Sequence, residues 1–370
     1  MSILTNSAQV SESAKNFEFL GDIIDIVPFG SGHINDTFCV TTTNTAGISY
    51  LLQRINHHIF ADVAGLMYNI QLVENHLKRK LPADKQALAD QYVLSIIPTK
   101  EEKLFFQDTD GDYWRMFVLI RNTKSYDIVE TPQQAREGGK AFGQFQLNLA
   151  DLDATKIVEV LPNFHNIDFR LSNLNKAIEK NSEGRLAAVE DIIQFIRARE
   201  SRMKTILKQA KDGLLPLRIT HNDTKFNNVL LDAQDQVQCV IDLDTVMPGH
   251  VAYDFGDAIR TIINPAAEDE TDLSKVKLNI PLFEAYTAGY LGEAKGFLTA
   301  AELDSLLEGV FLLPFMQGVR FLTDYLEGDH YFKVAYSDHN LVRTKTQFKL
   351  VSELEAAENE LQAIIEKYVK

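Results

Sequence analysis

Residues 219–232 read ITHNDTKFNNVLLD. Asp223 follows His221 by two residues, Asn228 stands five beyond Asp223, and Asp242 lies nineteen beyond it. Two carboxylates and a neutral amide oxygen at such spacing suit phosphoryl transfer. Asp223 would accept a hydroxyl proton, while Asn228 and Asp242 would hold Mg²⁺ on phosphates. Lys225 adds a positive charge where the transferring group becomes negative. Taken alone, HNDTKFNN reads equally as a polar connection whose Asn and Asp side chains satisfy local backbone groups. Asp242 favours the reaction centre, because NVLLD, the turn AQDQ and VQCVID form an expected hairpin that ends on it. Asn222 and Asn227 are then expected to shape the loop.

The elements around this loop divide the chain. DIVPFGSGHINDTFCVTTT, the turn NTAG and ISYLLQRI read as strand, loop, strand, hairpin and strand. Val63, Leu66, Met67, Ile70, Val73, Leu77 and Leu81 follow helical spacing. YVLSIIPT, KLFFQD and YWRMFVLI resemble strands, with DTDGD as a turn. Thr131, Pro132 and Gln134 signal a helix start. The rest is mostly helical except near 216–243, and Phe348, Val351, Leu354, Leu361, Ile364 and Tyr368 suggest one closing helix. An α+β plan is expected, with a small β-rich lobe over 1–120, a connector near 118–125 and a helical lobe over 121–370.

A net charge of −15 argues against a nucleic-acid surface, which needs an excess of Lys and Arg. MSILTNSAQVSESAKNFEF has no signal-peptide pattern, and the apolar run GVFLLPF falls far short of a membrane span. Cys39 and Cys239 sit in strand-like runs and read as free thiols in a reducing cytoplasm. No nucleic-acid or membrane partner is expected, and the oligomeric state is left open, a monomer being compatible.

On the nucleotide side, Gly30-Ser31-Gly32 lies between strand-like runs, with Asn35 where a third glycine would complete a phosphate-covering turn. An ordinary hairpin turn fits the same residues. Alternation puts Tyr50, Leu52 and Arg54 on one strand face, and Glu74 falls inside the helical apolar stripe. A carboxylate facing a core needs a cation, so an Arg54–Glu74 pair aimed at phosphates is expected, against a Glu74 that snorkels out of the stripe.

His221-x-Asp223-x4-Asn228 followed by Asp242 matches the catalytic loop and metal-binding Asp of the protein-kinase-like fold. Together with VIDLDTVMPG and YDFGDAIR it resembles the aminoglycoside phosphotransferase-like kinases. GSGHINDTF, LLQRIN, LPNFHN, GVRFLTDYLEGDHYF and HNLVRTKTQFKLV are similar to segments of bacterial N-acetylhexosamine 1-kinases. The resemblance implies a bilobal fold using ATP and Mg²⁺. Asp223 would be the base, with Asn228 and Asp242 as metal ligands and Asp244 a supporting or second-metal partner. Adenine would lie against Leu52 and the connector near Phe117–Ile120. His33, Asp36 and Arg320 would contact an N-acetylhexosamine phosphorylated at its anomeric hydroxyl.

Arg54 stands where most relatives carry Lys, and the last loop glycine is missing. Arg320 and Asp324 are equally a surface ion pair on a helix, and His33 equally a solvated loop residue. Tyr253 and Asp254 read as structural supports. The alternatives are a kinase of choline, homoserine, a thiosugar or an aminoglycoside, or a silent nucleotide-binding scaffold.

Overall fold

The computed structural model describes residues 7–30 and 34–370. Ser31, Gly32 and His33 therefore lie outside the described residues. One antiparallel sheet opens the fold, in the order β1-β2-β3-β6-β4 with β5 also on β6. Strands β1 (Ile23–Pro28), β2 (Asp36–Thr42) and β3 (Ser49–Ile55) follow the alternation in the sequence. Gly47 turns β2 into β3 at a left-handed φ of 68°. The next two strand-like runs shrink to β4 (Ile96–Ile97) and β5 (Phe106–Gln107), while the third forms β6 (Tyr113–Val118). Pro98 offers no N–H and ends β4; Leu104 and Phe105 pack into the core instead of pairing.

The two faces of this sheet have different coverings. Helix α1 (Ser7–Ala14), too short and polar to stand out in the sequence, covers the outer face. There Val10, Ala14 and Phe17 pack with Val40, Tyr50, Leu52, Trp114 and Met116. The inner face sets Leu51, Ile55 and Phe117 against α2 (Val63–Lys80), which Asp62 caps through Gly65 N–H at 2.8 Å. The apolar stripe of α2 is buried as its spacing predicts, and its cluster continues into Phe145, Leu243, Val246 and Met247. Buried Asn69 adds hydrogen bonds to Val158 N–H and to the carbonyls of Val158 and Val246. The segment that bears Asp242 is thus packed on α2.

Helix α3 (Pro132–Leu149) begins with the capping box that Thr131 and Gln134 announce. It lies along α8 (Ile280–Ala294), behind α4 (Ile167–Lys180), α5 (Glu190–Met203), α6 (Thr205–Lys211) and α7 (Val251–Ile262) in chain order. Helix α9 (Ala300–Glu327) runs through the centre of this lobe. By length and composition alone it could cross a membrane, yet 78% of its apolar window is buried, as in a core helix. The single closing helix expected from the sequence is two, α10 (His339–Ala356) and α11 (Glu358–Val369), broken where Ala357 leaves helical geometry (φ −99°, ψ 8°).

Helices α7 and α9 meet backbone to backbone. A Cβ on Gly309 would lie 2.0 Å from the Ala252 carbonyl, and one on Gly256 would lie 2.2 Å from the Gly309 carbonyl. Neither helix can yield without moving the other. Gly309→Ala is expected to cost about 2–3 kcal/mol, seen as a lowered denaturation midpoint at unchanged m-value. An unchanged midpoint would show that the contact relaxes freely.

Candidate active site

Four short strands frame the loop: β7 (Arg218–Thr220), β8 (Val229–Leu231), β9 (Val237–Val240) and β10 (Met247–Gly249). Strand β7 pairs with β10, and β8 pairs with β9 as the expected hairpin. Residues 221–228 join the two small sheets, and Asp242 follows β9 by two residues.

The loop is held from behind by one turn of α7. Buried Asp254 accepts His221 N–H at 2.9 Å and Asn222 N–H at 2.8 Å, and Gln146 donates to it at 2.8 Å. Asp257 accepts Thr224 N–H at 3.0 Å, and Thr224 Oγ1 donates to the Asp254 carbonyl at 2.6 Å. Burial raises the pKa of Asp254, opposed by His221 and these N–H donors. Spacing by three puts Asp254 and Asp257 on one side of α7, facing the loop. Asp254→Asn replaces an acceptor with a group that can offer at most one oxygen. We expect a loss of about 2–4 kcal/mol together with most turnover. Calorimetry and activity measured on one preparation check this; an active variant of wild-type stability would contradict it.

His221 orders the other side. Asp223 N–H points at its Nδ1 (3.3 Å), so Nδ1 accepts, and Nε2–H donates to the Ile241 carbonyl at 2.9 Å. The ring sits edge-on to Phe142 and Phe145. Ile241 N–H also donates to the Asn228 carbonyl at 2.9 Å. These bonds bring Asn228 and Asp242 alongside each other. Asn222 and Asp242 adopt left-handed φ of 64° and 61°, a strained conformation for side chains other than glycine. Asn222 donates to the Thr245 and Thr220 carbonyls, and Asn227 donates to Asp127.

The reactive groups then fall into place. Asp223 Oδ2 lies 3.0 Å from Lys225 Nζ and 3.2 Å from Asn228 Nδ2, with 26% of its side chain exposed. Burial lowers the Lys225 pKa, but Asp223, Asp242 and Asp257 outweigh that effect and raise it. Asn228 Nδ2 also donates to the Asp223 carbonyl at 2.8 Å, which leaves Oδ1 without a donor among the described residues. Asp242 makes no hydrogen bond or ion pair among the described residues. Desolvation within the surrounding cleft, together with Asp244 and Asp223, pushes its carboxyl up to about 6, although the residue keeps an exposed surface. An amide oxygen and an unpaired carboxylate, both hard donors, fit a Mg²⁺ site completed by phosphates and water. Asp244, close enough to act on Asp242, has both oxygens engaged by Arg115 and Asn35.

The nucleotide side departs from expectation. Arg54 and Glu74 do not pair. Tyr50, Leu52 and Arg54 do share a face, but it is the outer one, so neither Leu52 nor Arg54 faces the cleft. Arg54 binds Asp36 at 2.5 Å and Asp112 at 3.1 Å, which commits Asp36 as well. Glu74 meets Lys78 at 2.9 Å and accepts Ile96 N–H at 3.1 Å. Burial raises its pKa, and Lys78 lowers it. The inner face carries Leu51 and Gln53, with Arg115 as the register partner of Gln53. Arg115 is missed by motif reasoning; its signal is a lone charge between Trp114 and Met116. Gly30 takes a left-handed φ of 76° at the end of β1.

On the opposite side, Arg320 sits among the rings of Phe164, Tyr331 and Phe332 and donates to Gln317. It does not pair with Asp324, whose buried carboxylate accepts the N–H groups of His330, Tyr331 and Phe332. His165 Nδ1 and Arg170 Nε are buried without partners among the described residues. Burial draws the pKa of His165 down to about 4, against Asp257, with Arg320 and Arg170 adding to the drop. Burial and Arg320 draw the pKa of Arg170 down to about 10. A cavity of about 140 Å³ is lined by Phe164, His165, Asn222, His250 and Tyr253.

A family model described as a phosphotransferase enzyme family matches residues 25–293. The chain is similar to the crystal structure of an aminoglycoside phosphotransferase from Alicyclobacillus acidocaldarius subsp. acidocaldarius DSM 446 (12% identity, 96% of each chain, TM-score 0.62). It is similar also to amicoumacin kinase hAmiN in complex with AMP-PNP, Ca2+ and Ami (11% identity, 94% of each chain, TM-score 0.61). A third likeness is to a microcompartment-associated aminopropanol kinase (14% identity, 96% of this chain and 98% of that one, TM-score 0.60). At these identities the likeness is one of fold: an antiparallel sheet over a helical lobe.

Proposed function

The chain belongs to the phosphotransferase enzyme family, and on that premise we propose that it is an ATP-dependent kinase of a neutral sugar. The acceptor is the anomeric hydroxyl of an N-acetylhexosamine, and the product is the sugar 1-phosphate. The observation that carries the transfer chemistry is the unpaired Asp242 carboxylate beside Asn228 and the Lys225-bound Asp223. Mg²⁺, held by Asn228 and Asp242, would neutralise charge on the nucleotide phosphates. Asp223 orients the acceptor hydroxyl and takes its proton as the new O–P bond forms. The bond from the γ-phosphorus to the bridging oxygen breaks, and that oxygen leaves with ADP. Lys225, 3.0 Å from Asp223 Oδ2, holds that carboxylate in place. Adenine would lie under the inner face of β2, β3 and β6, where Cys39, Leu51 and Phe117 are register neighbours.

The acceptor class rests on charge. Arg170 and Arg320 stand near His165 without a carboxylate partner among the described residues, and His165, which lines the cavity beside Asn222, is held neutral. Such a positive surrounding repels an ammonium group and favours an acceptor whose polar groups are hydroxyl and carbonyl oxygens. The flanking segments similar to N-acetylhexosamine 1-kinases favour the same class. A second reading, an acceptor carrying an amine, is favoured by the names of the structural neighbours and by the carboxylates at 223, 242 and 257. Nucleotide consumption with N-acetylhexosamines, amino alcohols and aminoglycosides separates the two. Turnover confined to the neutral sugars is expected, and turnover confined to the amines would reverse the assignment.

A further inference from the structure

One carboxylate gathers three parts of the fold. Asp244, two residues beyond Asp242, takes both ends of the Arg115 guanidinium, Nη1 at 2.5 Å and Nη2 at 2.9 Å. Side-chain exposure is 2% for Arg115 and 5% for Asp244, so the fork is fixed and out of solvent. Arg115 Nε donates to Gln53 Oε1 at 2.9 Å, and Gln53 donates to Thr37 at 3.0 Å. Just ahead of β2, Asn35 Nδ2 donates to Asp244 Oδ2 at 2.7 Å, while Asn35 Oδ1 accepts Asn56 N–H at 2.9 Å. A glycine at position 35 would have no side chain to reach Asp244. Gln53 is neutral, so the cation on the cleft face of this sheet comes from β6 rather than β3.

Burial excludes Arg115 from touching phosphate directly, so its effect must pass through Asp244. Nothing else among the described residues neutralises that carboxylate, and an uncompensated Asp244 would compete with Asp242 for a cation. We propose that the Arg115–Asp244–Asn35 junction is a positioning device, coupling the start of β2 to the metal-holding Asp242. In this arrangement Arg115 silences Asp244 and fixes the turn at Leu243–Thr245. Asp242 is thereby left as the single free carboxylate aimed at the metal. The inference rests on the proposed role of Asp242.

Nucleotide affinity measured by calorimetry with and without Mg²⁺ tests it, alongside the KM of the acceptor. Groups that orient a metal ligand typically change metal affinity by about 10–100-fold. Arg115→Met is expected to weaken Mg-nucleotide binding about tenfold or more, on that same scale. Metal-free nucleotide affinity and the acceptor KM should stay within about twofold, since neither passes through Asp242. Arg115→Lys, which keeps the charge without the fork, should fall between. Asn35→Ala should shift the Mg²⁺ dependence in the same direction. Should Arg115→Met fail to fold by circular dichroism, Arg115→Lys and Asn35→Ala decide the matter. Equal losses with and without Mg²⁺, or none, would overturn the junction and leave only a structural tie. Asp242→Asn is the control. If it abolishes the Mg²⁺ response while the junction variants keep it, the junction alone is wrong; if it leaves the response intact, the metal assignment fails and takes the junction with it.

Discussion

Asp223→Asn is expected to lower kcat by about 10²–10⁴-fold, the usual contribution of a positioned general base, with little change in Mg-nucleotide affinity. The substitution keeps size and shape but removes the lone pair that receives the hydroxyl proton. It also deprives Lys225 of its nearest anion (3.0 Å), so the lysine is free to move toward the phosphates. Anchoring of the loop should survive, because Asp254 and Asp257 hold backbone N–H groups, not the Asp223 side chain. The expected signature is therefore a loss in kcat with nucleotide binding retained. A variant near wild-type turnover would remove Asp223 from the chemistry. A variant that loses nucleotide binding in proportion would make it a structural residue.

Asp242→Asn should be as damaging to turnover and yet stabilise the metal-free protein at neutral pH. The folded chain holds the Asp242 proton up to about pH 6, whereas the free side chain releases it at an ordinary value of 3.8. The wild type thus has the full benefit of that proton below about pH 4 and loses it as pH climbs through about 6. Asparagine never charges, so the variant should match the wild type in acid and exceed it at pH 7.5. Discounted for the solvent contact of the carboxylate, the gain is on the order of 1 kcal/mol. Thermal denaturation in chelator at pH 4 and pH 7.5 reads the difference, and added Mg-nucleotide should reverse the order by stabilising only the wild type. A variant less stable than the wild type at pH 7.5 in chelator would show that Asp242 is not an uncompensated charge.

What the sequence discloses here follows from how local each feature is. The loop geometry is set by residues close in the chain, so the spacing of His221, Asp223 and Asn228 carries it, and the β8–β9 hairpin delivers Asp242. The box at Thr131 and the stripe of α2 are likewise local. Arg54 shows the limit. Alternation assigns its face correctly, but which face turns to the cleft depends on α1 packing against Leu52 and Trp114, contacts between segments distant in the chain. Glu74 fails for a different reason, since Lys78 one helical turn away and the Ile96 N–H of β4 satisfy its two oxygens. Asp254 reads from the sequence as a support, though not for which N–H groups, and Arg115 is hidden because its partner Asp244 is far away in sequence. A buried charge announces a partner without naming it.

The most direct test is phosphorus NMR of the product formed from Mg-ATP and an N-acetylhexosamine. The account predicts a phosphomonoester coupled to the anomeric proton, formed by the wild type and not by Asp223→Asn. A phosphate on any other hydroxyl, or no sugar phosphate beside a readily phosphorylated amine, would contradict it.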